Sequence, residues 1–174
     1  PTIFPSSEDF ASGMVLPAGS NIVLAMHYPH GSYGEYDQTK VNFYFYPEPI
    51  GTEFREILAG PFLQNWDFEL PPFEYTSLEA SYPDVPFNLS VLSAFPHMHL
   101  LGESIKTYAV TPEEDTVKFV NIPEWDFDWQ DFYWFKYMQH MPSESDLHAE
   151  AVYDNTPGNP HNPNDPPIEV GPGL

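Results

Sequence analysis

Twenty-one prolines and ten glycines spread along 174 residues cut this chain into runs too short for long helices. Proline fixes φ and removes a backbone donor, and glycine admits turn conformations that other residues avoid. What lies between the breaks alternates with a period of two, the signature of an all-β chain with many turns. Only a short helix fits between them. Asn21 to Tyr28 reads as a strand after the turn at Pro17-Ala18-Gly19-Ser20; Ile22, Leu24, Met26 and Tyr28 share one face and Val23, Ala25 and His27 the other. Val41 to Tyr46 reads as a second strand, alternating Val41, Phe43 and Phe45 with Asn42, Tyr44 and Tyr46. Pro47-Glu48-Pro49-Ile50-Gly51 breaks the pattern and marks a domain boundary, dividing the chain into 1–47 and 50–174. Further strands are expected at 55–59, 74–82, 87–95, 97–110, 116–121, 131–138 and 147–153. Asp154 to Pro167 is a Pro/Asn loop that cannot pair regularly. No internal repeat is visible.

The content of 41% hydrophobic and 17% aromatic residues argues for packed β layers rather than disorder. Twenty-six acidic residues against five basic ones leave a formal charge of −21. Nucleic acid is thereby excluded as an expected partner, because phosphate contacts need clustered Lys and Arg. A strongly negative surface attracts cations and fits a salty exterior. With no cysteine, neither a disulfide framework nor a thiolate metal site nor a Cys nucleophile is available. Metal ligands must then come from His, Met and carboxylates. No apolar run approaches the roughly 18 residues a membrane span needs, so no membrane partner is expected. The chain starts at Pro1-Thr2 and stops at Gly173-Leu174 in a loop, which reads as a piece of a longer protein.

Chemistry concentrates in His97-Met98-His99. Side chains at i and i+2 of a strand point the same way, so the two imidazoles can hold one ion while Met98 faces the core. Imidazole suits copper, zinc, iron and nickel, and ligand type alone does not choose among them. The plainer alternative is coincidence, since seven histidines occur in the chain. Met138, His140, Met141 and His148 are further ligand candidates, although Met more often fills core gaps. His30 and His161 sit in turn and loop sequence and are expected in solvent. Trp125 to Trp129 alternates aromatic residues with Asp126 and Asp128; it is read as sandwich core, with a sugar-stacking platform as the alternative.

Four elements occur in order: Leu16-Pro17-Ala18-Gly19 with Met26-His27-Tyr28; Phe95-Pro96-His97-Met98-His99-Leu100-Leu101-Gly102; Asp146-Leu147-His148-Ala149-Glu150; and Val152-Tyr153-Asp154-Asn155-Thr156 with its Asn-Pro-His-Asn-Pro-Asn loop. Together, over essentially the whole chain, they resemble the type II, ascorbate-dependent copper monooxygenases, the peptidylglycine and dopamine hydroxylase family, and most of all its secreted bacterial branch. The resemblance implies two antiparallel β-sandwich domains, jelly-roll-like, each holding one copper. Residues 1–47 would be the last strands of the first domain, and 50–174 the catalytic domain without its last strands. His97 and His99 would be ligands of the catalytic copper and His27 a ligand of the electron-transfer copper. The catalytic copper's third ligand would be a Met beyond the Pro/Asn loop, and the second copper's other two ligands an adjacent His pair upstream. This stretch alone would then not turn over.

The implied reaction is hydroxylation of an unactivated C–H bond of a small molecule with O₂, ascorbate serving as reductant and the protein as a secreted, extracellular or periplasmic enzyme. Peptide-amidating relatives carry an Arg two residues before the His pair to hold the substrate carboxylate. Phe95 stands there in this chain and Arg55 is its only Arg, so a peptide acid is not the expected substrate, and a neutral or apolar one is. The competing readings are a non-catalytic β-sandwich that binds a ligand, or a metal-binding module without redox chemistry. There is no Gly-x-Ser-x-Gly elbow, P-loop or Gly-rich dinucleotide turn. Asn88-Leu89-Ser90 matches a glycosylation sequon, relevant only in a eukaryotic secretory route.

Overall fold

The structure, a computed structural model, describes residues 4–6, 9–26, 28, 31–47 and 53–172. Among them there are eight strands and no helix, so no helix is long and apolar enough to cross a membrane. The chain forms two compact units, Pro1–Gly60 and Pro61–Leu174. Their division falls beyond the Pro/Gly break at 47–51.

In the first unit β1 (Phe10–Gly13) and β2 (Glu53–Glu56) pair in parallel, with Phe10 opposite Glu53 and Gly13 opposite Glu56. The strands expected at 21–28 and 41–46 do not form. Their described residues are irregular, and their apolar side chains face solvent, Val23 to 86%. Alternation makes a strand only where a neighbouring strand takes its backbone groups and a core layer takes its apolar face. Tyr46 instead sends its hydroxyl to the Ser12 carbonyl at 3.0 Å, and Tyr28 and Thr39 both donate to Asp37.

The second unit is the all-β sandwich expected from the alternation. One sheet holds β3 (Tyr75–Tyr82), β8 (Asp146–Asp154), β5 (Gly102–Val110) and β6 (Thr116–Ile122) in that order, and the other holds β4 (Leu89–Ala94) and β7 (Tyr133–Met141). Every pairing in this unit is antiparallel. Ala109 of β5, Leu147 of β8 and Met141 of β7 meet in a core with Val85, covered by Leu89, Val91, Val117 and Phe119 from both sheets. The expected strand 97–110 begins only at Gly102, because a turn intervenes before it: the Gly102 amide donates to the His99 carbonyl at 2.9 Å.

A second core gathers Leu70, Leu101 and Val170. It is braced by Asn155, which is 1% exposed and donates its side-chain amide to the carbonyls of Leu70, Pro71 and Ile168. Its side-chain oxygen accepts from Asn162 at 2.9 Å, so one buried amide ties the Pro/Asn loop to the chain on either side. Proline-rich sequence that cannot join a ladder is ordered here by side-chain hydrogen bonds instead.

Lys106 and Glu150 face each other across β5 and β8 and form an ion pair at 2.8 Å, and the Tyr108 hydroxyl donates to the same carboxylate at 2.7 Å. Lys106 and then Tyr108 hold the Glu150 carboxyl below the ordinary Glu range; hydrogen bonding to Glu150 pushes Tyr108 up. A lowered folded-state value means stability that is present above the unfolded value of about 4.3 and lost as pH falls through the folded one. Tyr108 has the opposite sign: its share is present below about pH 10 and lost as pH rises through its raised value. Glu150→Gln is therefore expected to lower the urea midpoint at pH 7. The gap from wild type should be small, since the pair is partly solvated, and should close towards pH 3. A gap that widens on acidification contradicts this account.

Candidate metal centre

The chain leaves β4 at Ala94 and runs through Phe95-Pro96-His97-Met98-His99 without ladder pairing. Proline at 96 has no amide to offer a neighbouring strand. Alternation survives the loss of the ladder: Pro96 and Met98 are buried, Phe95 and His97 are exposed, and His99 is half-buried. Met98 lies in the core at 1% exposure, so the histidines on either side share the solvent face. This is the arrangement expected of a strand, reached by residues that are not one.

The end of this segment is tightly held. Leu101 is buried against Leu70 and Val170, and its carbonyl accepts from the Asp154 amide at 2.8 Å. Gly102 follows because nothing larger fits. A Cβ there would stand 2.7 Å from Trp125 Cδ1, 3.0 Å from Met98 Cε and 3.1 Å from the His99 carbonyl oxygen. The Trp125 amide in turn donates to the Glu103 carbonyl at 2.8 Å.

The two imidazoles meet with Nε2 atoms 3.1 Å apart and ring planes at 78°. Two nitrogens that share one ion at roughly 2.0–2.1 Å stand about this far apart. On its other side His97 Nδ1 is hydrogen-bonded to Gln130 Oε1. Gln130 donates its amide nitrogen to the Phe127 carbonyl at 2.7 Å, which turns the oxygen end towards His97. His97 Nδ1 must then be the donor, leaving the Nε2 lone pair directed at the shared point. With that lone pair as the acceptor, the contact between the rings runs from His99 Nε2–H to His97 Nε2. The Phe127 ring meets the His99 ring edge-on at 6.3 Å.

The remaining candidates lie elsewhere. His27 and His30 fall outside the described residues. Met141 is a core residue, and His140 sits opposite Ser90, at the end of β4 remote from His97. His148 stacks on Tyr108 at 5.1 Å in the four-stranded sheet. Met138 is exposed on β7. His161 lines a cleft of about 290 Å³ with Gly102, Glu103, Trp125 and Asp154. Among the described residues no group of three His, Asp or Glu comes together as a metal-holding set; His97 and His99 stand together as a pair.

Trp125 to Trp129 is corrected from sandwich core to a turn beside the pair. The Asp126 carboxylate captures the Asp128 amide at 2.9 Å and its carbonyl accepts from Trp129 at 3.1 Å, closing the backbone on itself before it can pair. Trp125 packs inward while Phe127 and Trp129 remain exposed. Gln130 and Gly102 are the site residues that sequence reading missed. Gln130 carries no motif; only the pairing register of β4 with β7 brings it to His97. Comparison with models of known protein families, with curated proteins and with solved structures finds no match to this chain.

Gly102→Ala is expected to cost about 1–3 kcal/mol, because the Trp125 ring or the His99 turn must give way. Gly158→Ala, whose Cβ would meet nothing closer than Thr156 Oγ1 at 3.4 Å, is the matched control. Urea unfolding of both variants checks this, and a wild-type midpoint for Gly102→Ala refutes the packing described.

Proposed function

We propose that His97 and His99 are ligands of the catalytic copper of an ascorbate-dependent monooxygenase, which hydroxylates a C–H bond of a small uncharged molecule with O₂. The observation that carries the reading is the convergence of the two Nε2 atoms to 3.1 Å with His97 held in its Nδ1–H form by Gln130. A donor set of neutral imidazoles suits copper, and a chain of net charge −21 draws cations towards it. The family resemblance of the His-x-His segment and the Asp-Asn-Thr loop points the same way. Copper in such a site supplies one-electron chemistry for activating O₂, with ascorbate as the electron source.

The chain's own residues prepare the ligands. Gln130 keeps the His97 lone pair at Nε2 and orients the ring, as outer-shell partners of ligating histidines do. Met98 and Pro96 anchor the backbone in the core, so neither imidazole can swing away with its loop. Phe127 restricts the His99 ring from the side. The third ligand, by the resemblance a Met beyond the Pro/Asn loop, and the second copper with His27 among its ligands belong to this same proposal. So do secretion and a substrate without a carboxylate to hold. A metal-binding module without redox chemistry is the second reading, favoured by the gathering of two ligands rather than three among the described residues.

Titration of the chain with Cu(II), followed by electron paramagnetic resonance, tests the ligand assignment. Nitrogen hyperfine structure is expected in the wild type, with affinity at least tenfold weaker in His97→Ala and about 10–100-fold weaker in Gln130→Ala. Unchanged copper binding in His97→Ala sinks the assignment. For a protein extended to the expected Met and His-His ligands, ascorbate-dependent oxygen uptake supports the monooxygenase; tight copper without uptake supports the second reading.

A further inference from the structure

The register of β4 with β7 continues past the last hydrogen bond. Ser93 lies opposite Trp134 and Ala94 opposite Tyr133. One residue further puts Phe95 across from Phe132, and two more put His97 across from Gln130, the pair that the hydrogen bond joins. Side chains of alternate residues share a face. Trp134, Phe132 and Phe95 therefore form one strip that ends at the imidazoles. Their contacts agree: Phe132 stands 6.0 Å from Trp134 and 4.8 Å from Phe95 between ring centroids. The alternate residues turn the other way, Phe135 reaching Phe119 in the sandwich at 6.1 Å.

Each of the three rings is about half exposed, at 46%, 52% and 49% in the order given. Single exposed aromatics are ordinary, but a contiguous row is a binding feature. Charge narrows what it takes. No Lys or Arg occurs at 89–105 or at 119–135, while Asp126, Asp128 and Asp131 lie in the adjoining turn. Lys136, the nearest cation along β7, holds its ammonium over its neighbour Tyr137 at 5.2 Å. Lys136 is two residues beyond Trp134, at the end of the strip away from the imidazoles. An anionic group near His97 and His99 would therefore meet the carboxylates of the turn and no Lys or Arg of these two segments. Shape narrows it further. Successive rings are tilted by 35° and 34°, so the strip is ridged, and a rigid flat molecule could lie on only one ring.

The geometry points to an uncharged ligand with a flexible aliphatic chain, laid along Trp134, Phe132 and Phe95 with one end at His97 and His99. The strip is the substrate ledge of the proposed copper centre and rests on that reading for its catalytic meaning, though not for its binding. Phe95 is the specificity-determining residue, because it carries the strip up to the ligands.

The test uses N-phenyl-1-naphthylamine, an uncharged fluorescent probe, displaced by 1-decanol or by decanoate at pH 8. Saturable binding is expected in the wild type and in Tyr82→Ala, an exposed aromatic of the other sheet. It should weaken at least tenfold in Phe95→Ala and in Trp134→Ala. Decanol should displace the probe at least tenfold more effectively than decanoate. Cu(II) should quench the bound probe in the wild type and not in His97→Ala. Probe binding unchanged in both ring variants overturns the ledge, as does equal competition by decanoate. A dimer in sedimentation that Trp134→Ala abolishes, with decanol affinity unchanged, also overturns it in favour of a contact between copies. Ring-dependent binding without copper quenching supports the ledge and removes the copper reading, so the two fail separately.

Discussion

Burial of Met98 is the constraint on which the candidate site depends. With its side chain in the core and its terminal methyl 3.0 Å from where a Cβ on Gly102 would lie, the backbone between the histidines cannot rotate without opening the sandwich. The imidazoles are thus presented by packing, not by a hydrogen-bonded ladder. Such an arrangement mounts the imidazoles on a buried neighbour, with the His99 carbonyl closing the turn to Gly102. A central strand position would have buried the same atoms between its partners.

The second layer of organisation is the two-stranded ribbon β4–β7. Its inner face contributes Leu89, Val91 and Met141 to the core, and its outer face carries Trp134, Phe132 and Phe95 towards the His pair. A bulge between Val91 and Ser93 separates the register that places Leu89, Val91 and Met141 in the core from the one that aligns the strip and the His97–Gln130 contact. A slip by one residue would bury Trp134 and expose Phe135. The strip is tied to the core through the alternate residues of β7, since Phe135 packs against Phe119 while Trp134 faces out.

On the other side of His99, the buried amide of Asn155 and the Leu70–Val170 bridge hold the long Pro/Asn loop against Leu101. Three carbonyls converge on one side-chain nitrogen, so this loop is ordered through buried hydrogen bonds in place of strand pairing. Together with the Gly102–Trp125 contact it fixes the turn that ends the His97-Met98-His99 segment.

Much of the second unit was legible in the sequence, and for a local reason: alternation, proline and glycine act over a few residues, so six of its strands fall close to where the pattern places them. The same pattern misled at Ile22–Met26 and Val41–Tyr46, where no partner strand makes use of it, and at Trp125–Trp129, where Asp126 closes a turn first. His97 and His99 were evident from spacing, and their common face followed from it even outside a strand. Gln130 and Gly102 were not, since the first acts through a pairing 33 residues distant and the second through a Trp side chain brought in from another loop. By itself the sequence determined the all-β class, the absence of thiolate chemistry, the acidic field and the two-imidazole motif, all properties of composition and near-neighbour order. Only the tertiary structure decided that the imidazoles converge, which tautomer His97 holds, and that an aromatic strip leads to them, because register and packing join residues that local order leaves apart.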